Sequence, residues 1–387
     1  VHIALVTETY PPEVNGVALT VQALAQGLAE AGHRVEVVRP RQPGVAAEAS
    51  ARMATVTVAG AALPRYPGLR FGLPAGGLLR RRWRQQRPDA VYVATEGPLG
   101  LSALRAARRL GIAACTGFHT RFDDFVRHYG AGWLTPLVFA WLRRFHGRAD
   151  ATLVPTDELR QFLQSHGFGR VHLLRRAVDT QLFHPGRRDP HLRAQWQATA
   201  DTPVVVYVGR IAPEKNLDLA VRAFRAIQRE QPGARYVWVG DGPARAALQA
   251  AHPDFLFVGT QHGEALARHY ASADLFLFPS LTETFGNVTL EAMACGLATV
   301  AYDYGAAREH IDDGISGRRI ARDDADGFVL AARQLAREPH LRAALGGAAR
   351  DAVLPLQPPS VITAFAHLLE QLRQEKRHDH PAALAST

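Results

Sequence analysis

Short apolar runs alternate with longer stretches of helical period along most of the chain. Residues 2–7, 35–38, 56–58, 90–94, 112–118, 151–155 and 171–174 are apolar runs of strand length, the pattern of strands buried on both faces. Between them, 17–30, 99–110, 133–145 and 157–166 carry apolar residues at helical spacing, and Gly32 and Gly111 close two of these segments. The alternation stops in a polar segment, 186–201, and resumes with strands at 204–208, 236–239, 255–258, 274–278 and 299–302. Helices are expected from about Asn216, over 288–295 with Gly296 at C′, over 325–337 and 339–351, and over 360–376 after Pro355, Pro358 and Pro359. Strands alternating with helices predict an α/β protein, and the interruption predicts two such domains, which a length of 387 residues accommodates. The expected division is 1–182, 183–356, a last helix at 357–377 and a disordered tail at 378–387.

In open α/β sheets ligands bind beyond the carboxyl ends of the strands. The most informative strand-to-helix turn is 279–296, P-S-L-T-E-T-F-G-N-V-T-L-E-A-M-A-C-G. The first amides of its helix, at Gly286, Asn287 and Val288, have no partner within the helix, and the helix dipole favours an anion there. Glu283 sits in the turn and Glu291 lies about one helical turn inside the helix, so both can face one cleft at different depths. Carboxylates accept hydrogen bonds from sugar hydroxyls, so one acid suits a hexose and the other a ribose, with a diphosphate between them. That arrangement describes a nucleotide sugar. Spacing alone also allows a solvated Glu283 and a Glu291 favoured only by the helix dipole.

Three further turns carry candidates. In E-T-Y-P-P-E-V-N-G-V, Gly16 lets a ligand approach the backbone, and the loop lacks the G-x-G-x-x-G of dinucleotide sites. His119 follows the run 112–118 at a strand's carboxyl end, beside Arg121 and Asp123. G-R-I-A-P-E-K-N-L places Arg210 and Lys215 between a strand and a helix, where two cations can close on a diphosphate. The turns G-D-G-P and Gly259-Thr260 either line a base pocket or are only turns. Asp324-Ala325-Asp326 opens a helix, so capping explains it better than a metal.

Composition changes the picture modestly. A hydrophobic fraction of 47% supports full cores, and the apolar stretch at 133–142 is well short of the roughly 20 residues that span a bilayer. The first apolar run is only a strand long, so no signal peptide is expected and the cytoplasm is the expected compartment. Cys115 and Cys295 are expected as buried thiols. With 45 basic against 36 acidic residues the formal charge is +9, which attracts nucleic acid, anionic lipid or phosphorylated substrates alike. No nucleic-acid-binding motif accompanies it, so no nucleic-acid partner is expected. Residues 78–87, with five arginines around Trp83, read as a basic helix with little apolar face, either solvated or resting on anionic lipid. Residues 133–145, ending in arginines, read as core or as an apolar lip for a lipid acceptor.

T-E-T-F-G-N-V-T-L-E-A-M-A-C-G at 282–296 resembles the signature of the retaining glycosyltransferases of family 4, which have the GT-B fold: two facing Rossmann-like domains with a C-terminal helix crossing back to the first. Asn15-Gly16-Val17, His119-Thr120-Arg121 and Gly209-Arg210 with Glu214-Lys215-Asn216 resemble further motifs of the bacterial GDP-mannose-dependent α-mannosyltransferases and related glycolipid-forming enzymes. The likeness spans nearly all of residues 1–375. It implies transfer of a hexose, with mannose from GDP-mannose first in line, to a lipid or lipid-linked sugar with retention at the anomeric carbon. It implies Gly16, Arg210, Lys215, Gly286, Asn287 and Val288 at the donor phosphates, His119, Glu283 and Phe285 at the donor sugar, Glu291 at the ribose, and Tyr10, Arg121 and Asp123 toward the acceptor. His119 and Glu283 are the expected catalytic pair. No metal or other cofactor is expected, because Arg210, Lys215 and the helix amides can neutralise the leaving phosphate, and the family's reaction is drawn as same-face attack with that phosphate as base. Many members carry Gly-Gly-x-x-Glu where this chain has Gly305-Ala306-Ala307-Arg308-Glu309, which puts a backbone–sugar contact at Ala306 in doubt. A UDP-sugar donor or a soluble saccharide acceptor are alternatives within the family. A phosphorylase needs a pyridoxal phosphate lysine, for which only Lys215 and Lys376 exist. A non-catalytic basic binding module leaves the paired acids unexplained.

Overall fold

The computed structural model describes residues 1–13, 16–42, 51–62, 70–119, 135–281, 283 and 285–379. It divides into two compact units, Val1–Arg176 together with the chain from Pro358 onward, and Ala177–Gln357. The division falls six residues before the expected Leu182. Val178 donates its N–H to Leu356 O at 2.9 Å, and Val178 and Phe183 lie in the second unit's core, so 177–182 go with that unit.

The first unit is built on a parallel sheet of β1 (His2–Val6), β2 (Arg34–Pro40), β3 (Met53–Val58), β6 (Ala90–Val93), β7 (Ala113–Gly117), β8 (Ala151–Val154) and β9 (Val171–Leu173). Its order is β3-β2-β1-β6-β7-β8-β9, so the winding reverses between β1 and β6. A short antiparallel ribbon, β4 (Gly60–Ala62) with β5 (Arg70–Gly72), was not legible in the Pro- and Gly-rich sequence around it. The helices are α1 (Gly16–Glu30), α2 (Gly76–Gln85), α3 (Pro98–Arg109), α4 (Thr135–His146) and α5 (Asp157–Ser165). The C-terminal helix, Pro358–Asp379, also belongs to this unit. Ile362, Phe365, Leu369 and Leu372, at helical spacing, are buried on it, each contributing roughly 1.5–3 kcal/mol by burial. Phe365 meets Tyr92 edge-on at 5.2 Å between ring centroids, and a Cβ at Gly27 would sit 2.5 Å from Ile362 Cγ1. Residues 378–379, expected in the tail, are helical, and the remainder of that tail lies outside the described residues.

The helix α2 is not the uniformly basic surface its sequence suggests. Leu79 and Trp83, four residues apart, are both fully buried, and Trp83 Nε1 donates to Glu36 Oε1 at 3.1 Å. Glu36 also takes Arg82 Nε at 2.6 Å. In α4, Leu142 and Phe145 are buried while Leu137 and Trp141 are exposed, so that helix has both a core face and an apolar outer face. Trp133 lies outside the described residues.

The second unit has a six-stranded parallel sheet: β10 (Val204–Val208), β11 (Arg235–Val239), β12 (Leu256–Gly259), β13 (Leu275–Phe278), β14 (Ala298–Tyr302) and β15 (Arg318–Ile320). The order β12-β11-β10-β13-β14-β15 places the reversal between β10 and β13. Its helices are α6 (Pro190–Gln195), α7 (Leu217–Glu230), α8 (Arg245–Ala251), α9 (Gly263–Ser272), α10 (Asn287–Ala294), α11 (Gly305–His310), α12 (Ala325–Arg337) and α13 (Pro339–Val353). Apolar residues from both faces of the sheet form two cores. The polar segment 186–201 contains α6 and the buried Trp196. Asp324 caps α12 by accepting from Gly327 N at 2.8 Å, and Asp326 pairs with Arg222. The stretch 339–378 has the length and hydropathy of a membrane span, but a 3₁₀ turn at Leu354–Leu356 breaks it and its buried residues belong to the cores of both units.

Candidate active site

In the second unit, the loops after β10 and β13 flank the reversal of the sheet, where a crevice opens in doubly wound folds. The first carries Arg210 and Lys215; the second carries Glu283 and leads into α10 (Asn287–Ala294), which bears Glu291. Two ties join these loops, through Asn216 and Lys215, and Tyr304, just past β14, braces the second loop. Asn216, left-handed at φ 55°, donates through Nδ2 to Pro279 O at 3.2 Å. Tyr304 OH donates to Ser280 O at 2.5 Å and accepts from Glu283 N at 3.2 Å. Lys215 Nζ donates to Glu283 Oε1, which also accepts from Ser280 Oγ at 3.0 Å.

The G-D-G-P turn acts as a clamp on the Arg210 loop. Ile211 N donates to Asp241 O at 2.9 Å and Ala244 N to Ile211 O at 3.1 Å. Gly242 packs directly on the Ile211 backbone, where a Cβ has no room. Arg210 itself is 65% exposed and lies 3.5 Å from Glu214.

Gly286 caps α10 with φ 88°, a left-handed conformation that glycine takes without steric cost. Among the described residues no side chain caps this end, and no acid lies in the first turn, so the helix presents its positive end at Asn287 and Val288. At the other end, Gly296 N bonds to Met293 O at 2.9 Å and Leu297 N to Ala292 O at 3.1 Å, the paired bonds of a Schellman motif. Glu291 accepts from Tyr270 OH at 3.0 Å. Burial pushes its carboxyl up to about 7, against the Tyr270 hydrogen bond that favours the charged form.

Phe285, expected at the sugar, is a core residue instead. Its ring is buried, and its carbonyl accepts from Ala306 N at 2.7 Å. That bond commits the Ala306 amide, and the Ala306 side chain is itself buried. Gly305, at φ 56°, passes so close to Phe285 that a Cβ would lie 2.6 Å from its carbonyl oxygen.

In the first unit, Gly16 is the first residue of α1, and among the described residues nothing lies within 4 Å of where its Cβ would be. His119 is buried, with both ring nitrogens engaged: Arg176 Nη2 at 3.0 Å from Nδ1 and Tyr92 OH at 2.5 Å from Nε2. A guanidinium only donates, so Nδ1 accepts and the proton sits on Nε2. Burial first, then the Arg176 charge and His146, hold the imidazole well below its ordinary pKa, hence neutral. A sugar contact at His119 would have to displace one of these partners. Tyr10, expected toward the acceptor, is a core residue with Arg39 over its ring at 5.6 Å. Arg121, Asp123 and Asn15 lie outside the described residues.

Two residues that sequence reasoning missed organise this unit. Glu8 is buried and accepts from Leu99 N at 3.0 Å and from Gly72 N, so one carboxylate ties the end of β1 to the start of α3 and to β5. Arg176 donates to both His119 and Thr20. Neither partner set lies near in sequence, so no local pattern announces it.

Comparisons with known proteins bear on the family and the fold. Residues 14–182 match the family described as Glycosyltransferase Family 4, and 202–338 match Glycosyl transferases group 1. The chain is 36% identical over 334 residues to a GDP-mannose-dependent alpha-mannosyltransferase of Mycolicibacterium smegmatis, covering 85% of this chain and 86% of that protein. It is 30% identical over 371 residues to a GDP-mannose-dependent alpha-(1-6)-phosphatidylinositol monomannoside mannosyltransferase of the same organism, covering 89% and 92%. In fold it is similar to sucrose-phosphate synthase from Thermosynechococcus elongatus, with a TM-score of 0.76 and 20% identity over 97% of this chain and 99% of that one. Two Rossmann-like units, the family matches at both, and these identities over most of the chain make it a GT-B glycosyltransferase of family 4.

Proposed function

We propose that this glycosyltransferase moves mannose from GDP-mannose to a lipid or lipid-linked sugar, with retention at the anomeric carbon and without a metal ion. The observation that carries the reading is the second unit's site, where the loop bearing Arg210 and Lys215 is bonded through Lys215 to Glu283, on the loop that leads into the N-terminal end of α10 and Glu291. Cleavage of the sugar–phosphate bond leaves charge on the β-phosphate oxygen, and cations with helix amides stabilise that charge where a metal would otherwise act. In this account the leaving phosphate takes the acceptor hydroxyl's proton, so no side chain is asked to form a covalent intermediate. Glu283 orients the hexose and Glu291 the ribose.

The choice of donor leans on the relatives whose names specify GDP-mannose, at 36% and 37% identity. A second reading is a different sugar donor, since a sulfoquinovosyl transferase of Arabidopsis thaliana is 31% identical over 274 residues. The lipid acceptor draws support from the monomannoside relative and from Leu137 and Trp141, exposed on α4 ahead of Arg143 and Arg144. With the net positive charge, this supports a cytoplasmic protein in peripheral contact with the anionic inner face of the membrane. Competition titrations with GDP-mannose, UDP-glucose and a UDP-sulfosugar test the donor. Tighter binding of GDP-mannose by about tenfold or more is expected, and preference for a UDP-sugar would replace mannose in this account.

A further inference from the structure

Helices in a parallel α/β unit run against the strands, so their C-terminal turns gather at the sheet edge away from Glu8 and His119. At that edge of the first unit, beside the starts of β6 and β7, is a cavity of about 510 Å³. Six cations line it: Arg87 just past α2, Arg108 and Arg109 at the end of α3, and Arg373, Lys376 and Arg377 on the C-terminal helix. Arginine in the last turn of a helix ordinarily complements the dipole and faces water. Here the last turns of separate helices converge on one concavity, and the acids nearby do not balance them. Asp89 and Glu370 pair with Arg373, at 3.1 and 2.9 Å, and Asp150 pairs with Lys376 at 2.6 Å. Arg87 donates to Gly111 O at 3.1 Å. Among the described residues, Arg87, Arg108, Arg109 and Arg377 have no carboxylate within ion-pair distance. The like charges are close enough to interact: burial and then the Arg377 charge make the Arg87 guanidinium easier to deprotonate than usual.

We propose that this cavity is an accessory binding site for a phosphorylated anion, a phosphate ester or diphosphate that is either free in solution or part of a lipid headgroup. Guanidinium groups match phosphate oxygens in bidentate geometry, and uncompensated arginines gain most from such a partner. The volume is in the range of small-molecule sites, so it admits a phosphate together with the group that carries it. The site lies within the first unit and shares no residue with the donor loops.

Titration calorimetry of the whole protein with inorganic pyrophosphate at fixed ionic strength tests the proposal, using wild type, Arg108→Ala/Arg109→Ala/Arg377→Ala and Arg210→Ala/Lys215→Ala. Two classes of site are expected in wild type. The cavity variant loses one, weakened roughly tenfold or more, while the donor-loop variant keeps it. The single Arg109→Glu substitution repeats the test should the triple variant melt early. Flotation with phosphatidylcholine vesicles, with and without phosphatidylglycerol, separates the sources. Binding to the anionic vesicles that the cavity variant loses identifies a lipid headgroup; pyrophosphate binding without vesicle binding identifies a free phosphate. A cavity variant that matches wild type against both probes would overturn the proposal.

Discussion

Lys215 Nζ donates to Glu283 Oε1, so the cation assigned to the donor phosphate and the acid assigned to the donor sugar are bonded to each other. Each is mostly shielded from water, which strengthens the pair and makes removing either partner alone consequential. Glu283→Ala is expected to lower transfer by roughly two to three orders of magnitude. Free nucleotide diphosphate should bind as well as before or better, because Lys215 is released toward the phosphates. Transfer assays paired with calorimetry check this, and equal loss of both would contradict the division of roles.

Arg210→Ala separates the phosphate from the sugar. The side chain is exposed and its approach to Glu214 is long, so folding stability should change by less than about 0.5 kcal/mol. Donor and free diphosphate should weaken alike, by about 1.5–3 kcal/mol, since a charge-assisted hydrogen bond is lost in both complexes. A thermal melt and two titrations measure the contrast.

Glu291 gives a pH signature. Burial raises its carboxyl from 4.5 to about 7, so the folded protein holds this proton more tightly than the unfolded chain. The stability linked to it is complete below the unfolded value and is lost as pH rises through about 7, a change on the order of 3 kcal/mol. Glu291→Gln should remove that slope from denaturant unfolding measured between pH 5 and 8. The ionised carboxylate is the stronger acceptor for a ribose hydroxyl, so nucleotide affinity should rise over the same window in wild type and stay flat in the variant.

What was readable in the sequence was what local rules govern. The strand–helix alternation, the left-handed glycine after α10 and the acid at the start of α12 each follow from a few neighbouring residues. The reading failed where partners are distant in sequence. Residues 78–87 read as a basic helix with little apolar face because arginines surround Trp83, yet Leu79 and Trp83 are buried and Glu36 takes the Trp83 indole N–H. Phe285 was placed at the donor sugar by family resemblance alone, whereas its ring is buried and Gly305 and Ala306 pass close against its carbonyl. Glu8 and Arg176 had no motif at all, since their partners come from elements joined only by folding.

Chelation tests the source of positive charge. Arg210, Lys215 and the α10 amides supply it in this account, so activity should persist in excess EDTA within about twofold. Abolition by EDTA with rescue by magnesium would require a metal at the phosphates.

The central claim is hexosyl transfer from GDP-mannose to a lipid-borne hydroxyl. Its most direct test incubates the protein with sugar-labelled GDP-mannose or UDP-sugars and anionic vesicles carrying extracted bacterial lipids, then partitions the label. The account predicts that label from GDP-mannose enters the lipid phase and that the new linkage is α. Label reaching lipid only from a UDP-sugar, or remaining wholly in water-soluble products, would contradict it.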